Sequence, residues 1–363
     1  MAGPLEGIRV VDLTQVVSGP LATMLLADQG AEVVKVEPLG IGGDVTRLPS
    51  FAKAGISALF VNNNRGKRSL AVDLTKEEGK QIVIDLVEQA DVFIQNFRPG
   101  AIERLGLSYD ELKSVNPKLI YCSISGFGPD GPYSDRPVLD PVIQGLTGMV
   151  SRQLNPQIPF PDLVRNLVAD KSTAFTSAQA ITAALFSRER TGQGQFLQIP
   201  MLDSCLYFFW VDGMMDLTML DEDVSPGITL AKVYNITNTS DGQLIYFAAN
   251  DKQRFGLLRA LGRDELCEDE RFSSLAAISN PENFAALGEI VAKEFEKVTS
   301  DEIIPKLIEH QVPCGPILAG EETLEDPQVL HNEVLKIWEH PEAGKIRQPV
   351  PAARFSDLSL IHI

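Results

Sequence analysis

The chain has 363 residues, 44% of them apolar, a length that can bury one large core or two unequal ones and excludes both a disordered chain and a small peptide-binding module. Its formal charge is -17, from 32 Lys and Arg against 49 Asp and Glu; that field repels phosphate backbones, so no nucleic-acid partner is expected, although a local basic groove for one anionic ligand is compatible with it. Four widely spaced cysteines (Cys122, Cys205, Cys267, Cys314) suit neither a zinc site nor a disulfide framework.

No basic segment followed by an apolar stretch opens the chain, and the most apolar run, SCLYFFWVDGMM, is interrupted by Asp212 and too short to span a bilayer. A soluble cytoplasmic protein with no membrane partner is the expectation. In chain order, IRVVDLT (8–14) reads as a strand and GPLATMLLADQGA (19–31) as a helix stopping at Gly30. EVVKVEP (32–38) is a second strand, which completes a βαβ unit and implies a parallel sheet. A second round follows: strand 68–74, a helix over 76–90 begun by a Thr75 cap, and strand 91–97. Short helices over AIERLGL and SYDELKSVNP lead to strand 119–125 and the glycine turn SGFGPDGPYSD. The first half is therefore α/β and doubly wound, but Gly19-Pro20 stands where a G-x-G-x-x-G fingerprint would bind a dinucleotide, so that cofactor is not supported. A helix opened by Asp170, a glycine turn and a strand (192–204) come next. Beyond about Asp221 the texture changes to a hairpin at Asp241-Gly242 and helices in DKQRFGLLRALG, NPENFAALGEIVAKEFEKVT and SDEIIPKLIEH, followed by proline-rich turns.

His310, His331, His340 and His362 lack metal-ligand spacing, so no metal site is expected, and neither a nucleophile elbow nor a P-loop occurs. Carboxylate, arginine and backbone amides are what is left to do chemistry. At the head of its helix Asp170 is either a cap or, held ionised by the free amides and the helix dipole, a nucleophile. A carboxylate attacks amides poorly but suffices against a thioester, whose thiolate leaves readily. The 125–135 turn offers amides for a developing oxyanion, and Arg98 and Arg104 follow a strand at the ligand-bearing edge of an α/β sheet.

Long blocks across nearly the whole chain, among them PLEGIRVVDLTQVVSGPLATMLLADQGAEVVKVEP, DVFIQNFRPGAIERLGLSYDEL, NPKLIYCSISGFGPDGPY and AALFSRERTGQGQ, resemble the family III CoA-transferases, which include the α-methylacyl-CoA racemases. The resemblance implies a Rossmann-like large domain built from both chain ends, a smaller α+β domain, and an interlocked homodimer. The expected division is 1–200 for the first part of the large domain, 201–225 for a linker, 226–330 for the small domain and 331–363 for the return, with a C-terminus shorter than in relatives. It further implies acyl-CoA and a small carboxylic acid as substrates with no tightly bound cofactor. Asp170 matches the family's covalent aspartate, and Asp140 an acidic position also used by transferases. The CoA contacts carry over to Val16, Asn96, Phe97 and Arg104, and less directly to Val72 and Ala22. Arg47 or Lys67 would supply basic contacts that the EPLGIGGDVTR stretch lacks. Leu139 occupies the position of the racemase histidine and cannot accept a proton, and Lys252 stands where racemases carry a glutamate, so transfer is favoured over racemisation, with a non-catalytic CoA-binding protein as the remaining alternative. No GGG loop is present to shield an anhydride from water.

Overall fold

β-branched runs bounded by turns make the central sheet. In the computed structural model, which describes all residues except 1–2, 41, 49, 156–157, 159, 226, 235 and 357–363, six parallel strands line up: β1 (Arg9–Asp12), β2 (Glu32–Pro38), β3 (Lys67–Val72), β4 (Val92–Gln95), β5 (Ile120–Ser125) and β6 (Gln195–Pro200), in the order β3-β2-β1-β4-β5-β6. The mixed α/β class and parallel sheet expected from the alternating pattern are present, in the doubly wound order. His362 lies outside the described residues.

Both faces of the sheet are covered, and the alternation along each strand sorts its side chains. Val10, Ile94 and Cys122 point to one apolar cluster, while Val11, Phe93 and Tyr121 point to the other. The first cluster is closed by α1 (Ser18–Ala27) and by a long helix described below; the second by α3 (Glu77–Glu88), which follows α2 (Ala58–Asn64), and by α5 (Tyr109–Val115), which follows α4 (Ala101–Arg104). Ser108 and Glu111 form a capping box on α5. Thr75 does not cap α3 as expected: Lys76 holds that position without a side-chain bond, and Thr75 instead donates its amide and hydroxyl to Asp73 Oδ1 (3.0 and 2.6 Å).

Contacts divide the chain into two units, Met1–Ser151 with Pro161–Val211 and Leu330–Ile363, and Arg152–Phe160 with Asp212–Val329. In the first unit α6 (Asp140–Leu146), α7 (Val168–Thr191) and α8 (Met201–Gly213) pack on the sheet, and the antiparallel pair Leu335–His340 and Gly344–Pro349 closes the chain. Met201 and Cys205, at the start of the segment expected as a linker, are buried in the first core cluster. In the second unit the expected hairpin is Thr237–Asn238 with Gln243–Tyr246, extended by Cys314–Pro316. Helices Asp251–Ala260, Pro281–Phe295 and Ser300–Glu309 cover it through Leu257, Leu287, Val291, Phe295, Ile303 and Leu307.

Candidate active site

The sheet order reverses between β1 and β4, and the crevice outside the carboxyl ends of strands at such a reversal is the natural ligand position in an open α/β sheet. Two of the expected CoA residues are tied there through the loop after β1. Gln15 N–H donates to Asn96 Oδ1 (2.9 Å), and Asn96 Nδ2 donates back to Gln15 O (2.8 Å). Phe97 N–H donates to Gln95 Oε1 (2.7 Å). Val16 has φ 71, a left-handed conformation that strains a β-branched residue, and its amide faces Asp44 Oδ1 (3.3 Å). That turn delivers Ser18 to the start of α1.

Arg98 and Arg104 are exposed on the segment after β4, and neither joins an ion pair among the described residues. Gly100 (φ 78) lets the chain turn there, and a Cβ at that position would stand 3.1 Å from Arg104 Nη1. Val72 and Ala22 are placed differently: both side chains are in the core, 4% and 0% exposed, and Val72 O accepts Leu39 N–H (3.2 Å).

Arg47 and Lys67 are not free cations, contrary to expectation. Arg47 grips Glu37 through Nε and Nη2 (both 2.7 Å) and lies over the Phe60 ring. Lys67 Nζ is enclosed by Asp12 Oδ2 (3.0 Å), Pro20 O and Asn64 Oδ1. Lys35 Nζ donates to Thr14 O (2.7 Å) and meets Asp44 Oδ2 at 3.0 Å as an ion pair without hydrogen-bond geometry. Burial pushes the Asp12 carboxyl upward, but Lys67 and Lys35 and the hydroxyls of Thr14 and Thr23 overcome it and hold Asp12 well below the usual carboxylate range. Burial pushes the Lys67 ammonium down to about 8 against the attraction of Asp12. Four acids and four bases thus neutralise one another below the β1 loop, counting Asp28 with Arg65.

Asp170 is the third residue of α7, whose cap position is Leu167, and its side chain caps nothing. The carboxylate that serves the helix start is Asp140: its Oδ2 accepts Asp170 N–H (2.9 Å) and its Oδ1 accepts Gln144 Nε2 (2.6 Å). The Asp170 carboxyl is pushed up to about 6, chiefly by burial and secondly by the Asp140 charge, while the hydroxyl and backbone of Ser18 favour its ionised form. The two aspartates are therefore adjacent, as the sequence alone could not reveal, and α1 supplies the third member. Asp170 is 6% exposed and lines none of the cavities of about 1190, 440 and 450 Å³. Leu139, 64% exposed, sits beside buried Asp140. Among the 125–135 amides, Gly128 N–H is taken by Ser125 Oγ (3.0 Å), and Gly126 is close-packed, since a Cβ there would fall 2.1 Å from Val138 Cγ1. Cys122 lies in the sheet core, where burial pushes its thiol up to about 12, which makes it inert. Among the described residues no group of three or more His, Cys, Asp or Glu is placed to hold a metal ion, and no helix is long and apolar enough to cross a membrane.

Ser18, Asp44 and Gln144 were missed by sequence reasoning. Only Ser18 carries a local signal, as a small polar residue directly before Gly19-Pro20 at a helix start.

Known proteins share this arrangement of chain. The mouse succinyl-CoA:glutarate CoA-transferase is 32% identical over 360 residues, covering 98% of this chain and 82% of its own. The formyl-CoA:oxalate CoA-transferase of Streptomyces avermitilis is 31% identical, covering 95% and 88%. Among solved structures, an aspartate-to-alanine variant of Rv3272 from Mycobacterium tuberculosis superposes with a TM-score of 0.86 at 32% identity, over 99% of this chain and 94% of that one. The family description "CoA-transferase family III" matches residues 5–361, and the chain belongs to that family.

Proposed function

We propose that this CoA-transferase moves CoA from an acyl-CoA donor to a small carboxylic acid through covalent intermediates on Asp170. The observation that carries the reading is the Asp170 carboxyl itself, enclosed beside Asp140 and Ser18 and raised to about 6. Such a carboxylate is more basic than a solvated one yet still largely ionised above pH 6, as a nucleophile must be. In the first step an Asp170 oxygen adds to the donor thioester carbonyl and the C–S bond breaks, giving an aspartyl-acyl anhydride and CoA thiolate. The thiolate then attacks the Asp170 carbonyl, releases the donor acid and leaves an aspartyl-CoA thioester. The acceptor carboxylate attacks that thioester, and the returning thiolate takes the new acyl group, which restores Asp170. Each step exchanges one activated carbonyl for another.

Coenzyme A lies, on this reading, over the carboxyl ends of β1 and β4, with Val16, Asn96 and Phe97 along its path and the unpaired Arg104 toward its phosphates. Val72 contributes only through its neighbourhood. The names of the relatives pair CoA with glutarate and oxalate, so a short dicarboxylate is the first acceptor class to test. Asp170 is buried in the single chain, and a homodimer, interlocked as the family resemblance implies, completes its cleft. Leucine at 139 supports transfer over racemisation.

Incubation with succinyl-CoA and hydroxylamine should yield a hydroxamate at Asp170, mapped by mass spectrometry, and Asp170→Ala should show no exchange between acyl-CoA and free acid. Full exchange in that variant would remove the covalent assignment.

A further inference from the structure

Gln144 is 1% exposed, and none of the chemistry above uses it. Its amide is nevertheless saturated by the segments that set the position of Asp170. Nε2 donates to Asp140 Oδ1 (2.6 Å), one helical turn earlier on α6, and to Val164 O (3.1 Å), with Asn166 O at 3.4 Å. Oε1 accepts Val164 N–H (2.9 Å). The strand-like stretch 164–166 leads directly into α7, and Asp140 Oδ2 holds the amide of Asp170 itself. One buried carboxamide therefore fixes Asp140 from one side and the approach to α7 from the other.

We infer that Gln144 is a positioning residue for transfer, clamping Asp140 so that its free oxygen holds the Asp170 backbone while the Asp170 carboxyl keeps its aim at the thioester. The inference rests on the covalent reading of Asp170. Only a glutamine or its equivalent fits the position, because the site needs a donor toward a carboxylate and an acceptor toward an N–H on the same planar group. Glutamate would keep the acceptor for Val164 but place a second carboxylate against Asp140, whereas leucine would fill the space and make neither bond.

The two substitutions separate positioning from plain structural support. If Gln144 only pinned the 164–166 stretch, Gln144→Glu, which keeps the Val164 bond, would be milder than Gln144→Leu. If it positions Asp140, Gln144→Glu is at least as damaging. With activity counted per site titrated by hydroxylamine, so that unfolded protein does not enter, kcat should fall about tenfold or more in both variants, with KM for acyl-CoA within about threefold. Retention of kcat per titrated site within about twofold in either variant, or a fall in Gln144→Leu alone, overturns the inference while leaving Asp170 as nucleophile. Absence of any Asp170 adduct in the unsubstituted enzyme overturns both together.

Discussion

Asp170 carries opposite consequences for activity and for stability. Its carboxyl is raised from 3.8 to about 6, so the folded state favours the protonated form and the charged form is the one that costs stability. That cost is absent near the unfolded value of 3.8, grows as pH rises toward 6, and is complete above it, where it amounts to about 3 kcal/mol. Asp170→Asn should therefore be more stable than the parent at pH 8 by up to about that amount, and the gain should shrink through pH 6 and vanish near 4. Thermal unfolding at several pH values checks it; a constant gain across that range would mean that packing, not charge, is responsible. For the same reason kcat should decline on the acid side with an apparent midpoint near 6, read from the pH-rate profile. At this scale the sequence named Asp170 and Asp140 but not their relation. A carboxylate in the first turn looks like a cap, and only tertiary structure reveals that Asp140, thirty positions away, serves the helix while Asp170 is left for chemistry.

The elements of the sheet were legible because hydrophobic alternation and helical spacing are local signals. All six strands fall within a few residues of their expected places. Three elements escaped for physical reasons. α6 begins Asp140-Pro141 and contains Gly145, so its composition reads as a turn although proline is well accommodated in a first helical turn. The Leu335–His340 and Gly344–Pro349 pair has no Asn-Gly or Asp-Gly between its strands. The stretch from Leu39 to Arg47 looks like an open basic loop but folds back, with Asp44 N–H and Arg47 both on Glu37. That fold-back matters beneath the β1 loop, where Lys67 and Asp12 are 2% and 0% exposed at their side chains. Lys67→Met should destabilise the protein by about 3 to 5 kcal/mol, since Asp12 would lose its nearest countercharge in a place water does not reach. Urea unfolding reads this directly, and a loss under about 1 kcal/mol would mean that Lys35 and the threonine hydroxyls alone satisfy Asp12.

At the scale of the molecule, the large unit leaves apolar surface that its charge does not explain. With 49 acidic residues to place, the chain still leaves Phe175 and Phe186 of α7 at 59% and 67% exposure, and Tyr207 and Val211 of α8 at 82% and 80%. The two phenylalanines border the cavity of about 1190 Å³, with Leu21, Met24 and Leu25 of α1 along it. Contiguous apolar surface of this extent is uncommon on a monomer, and a second copy presenting the same face would bury it without a new partner. α1 and α7 are also the helices that carry Ser18 and Asp170, so the proposed dimer contact and the proposed nucleophile are borne by the same two elements. Replacing Phe175 and Phe186 together by arginine should shift the species seen by light scattering from twice the chain mass to one, because four buried charges would face one another across a twofold contact. Activity should fall with the dimer fraction if the second copy completes the cleft, and titration at rising protein concentration should restore both in step. A variant that stays dimeric, or a monomer with full exchange activity, would place the subunit contact elsewhere and leave Asp170 accessible through the single chain.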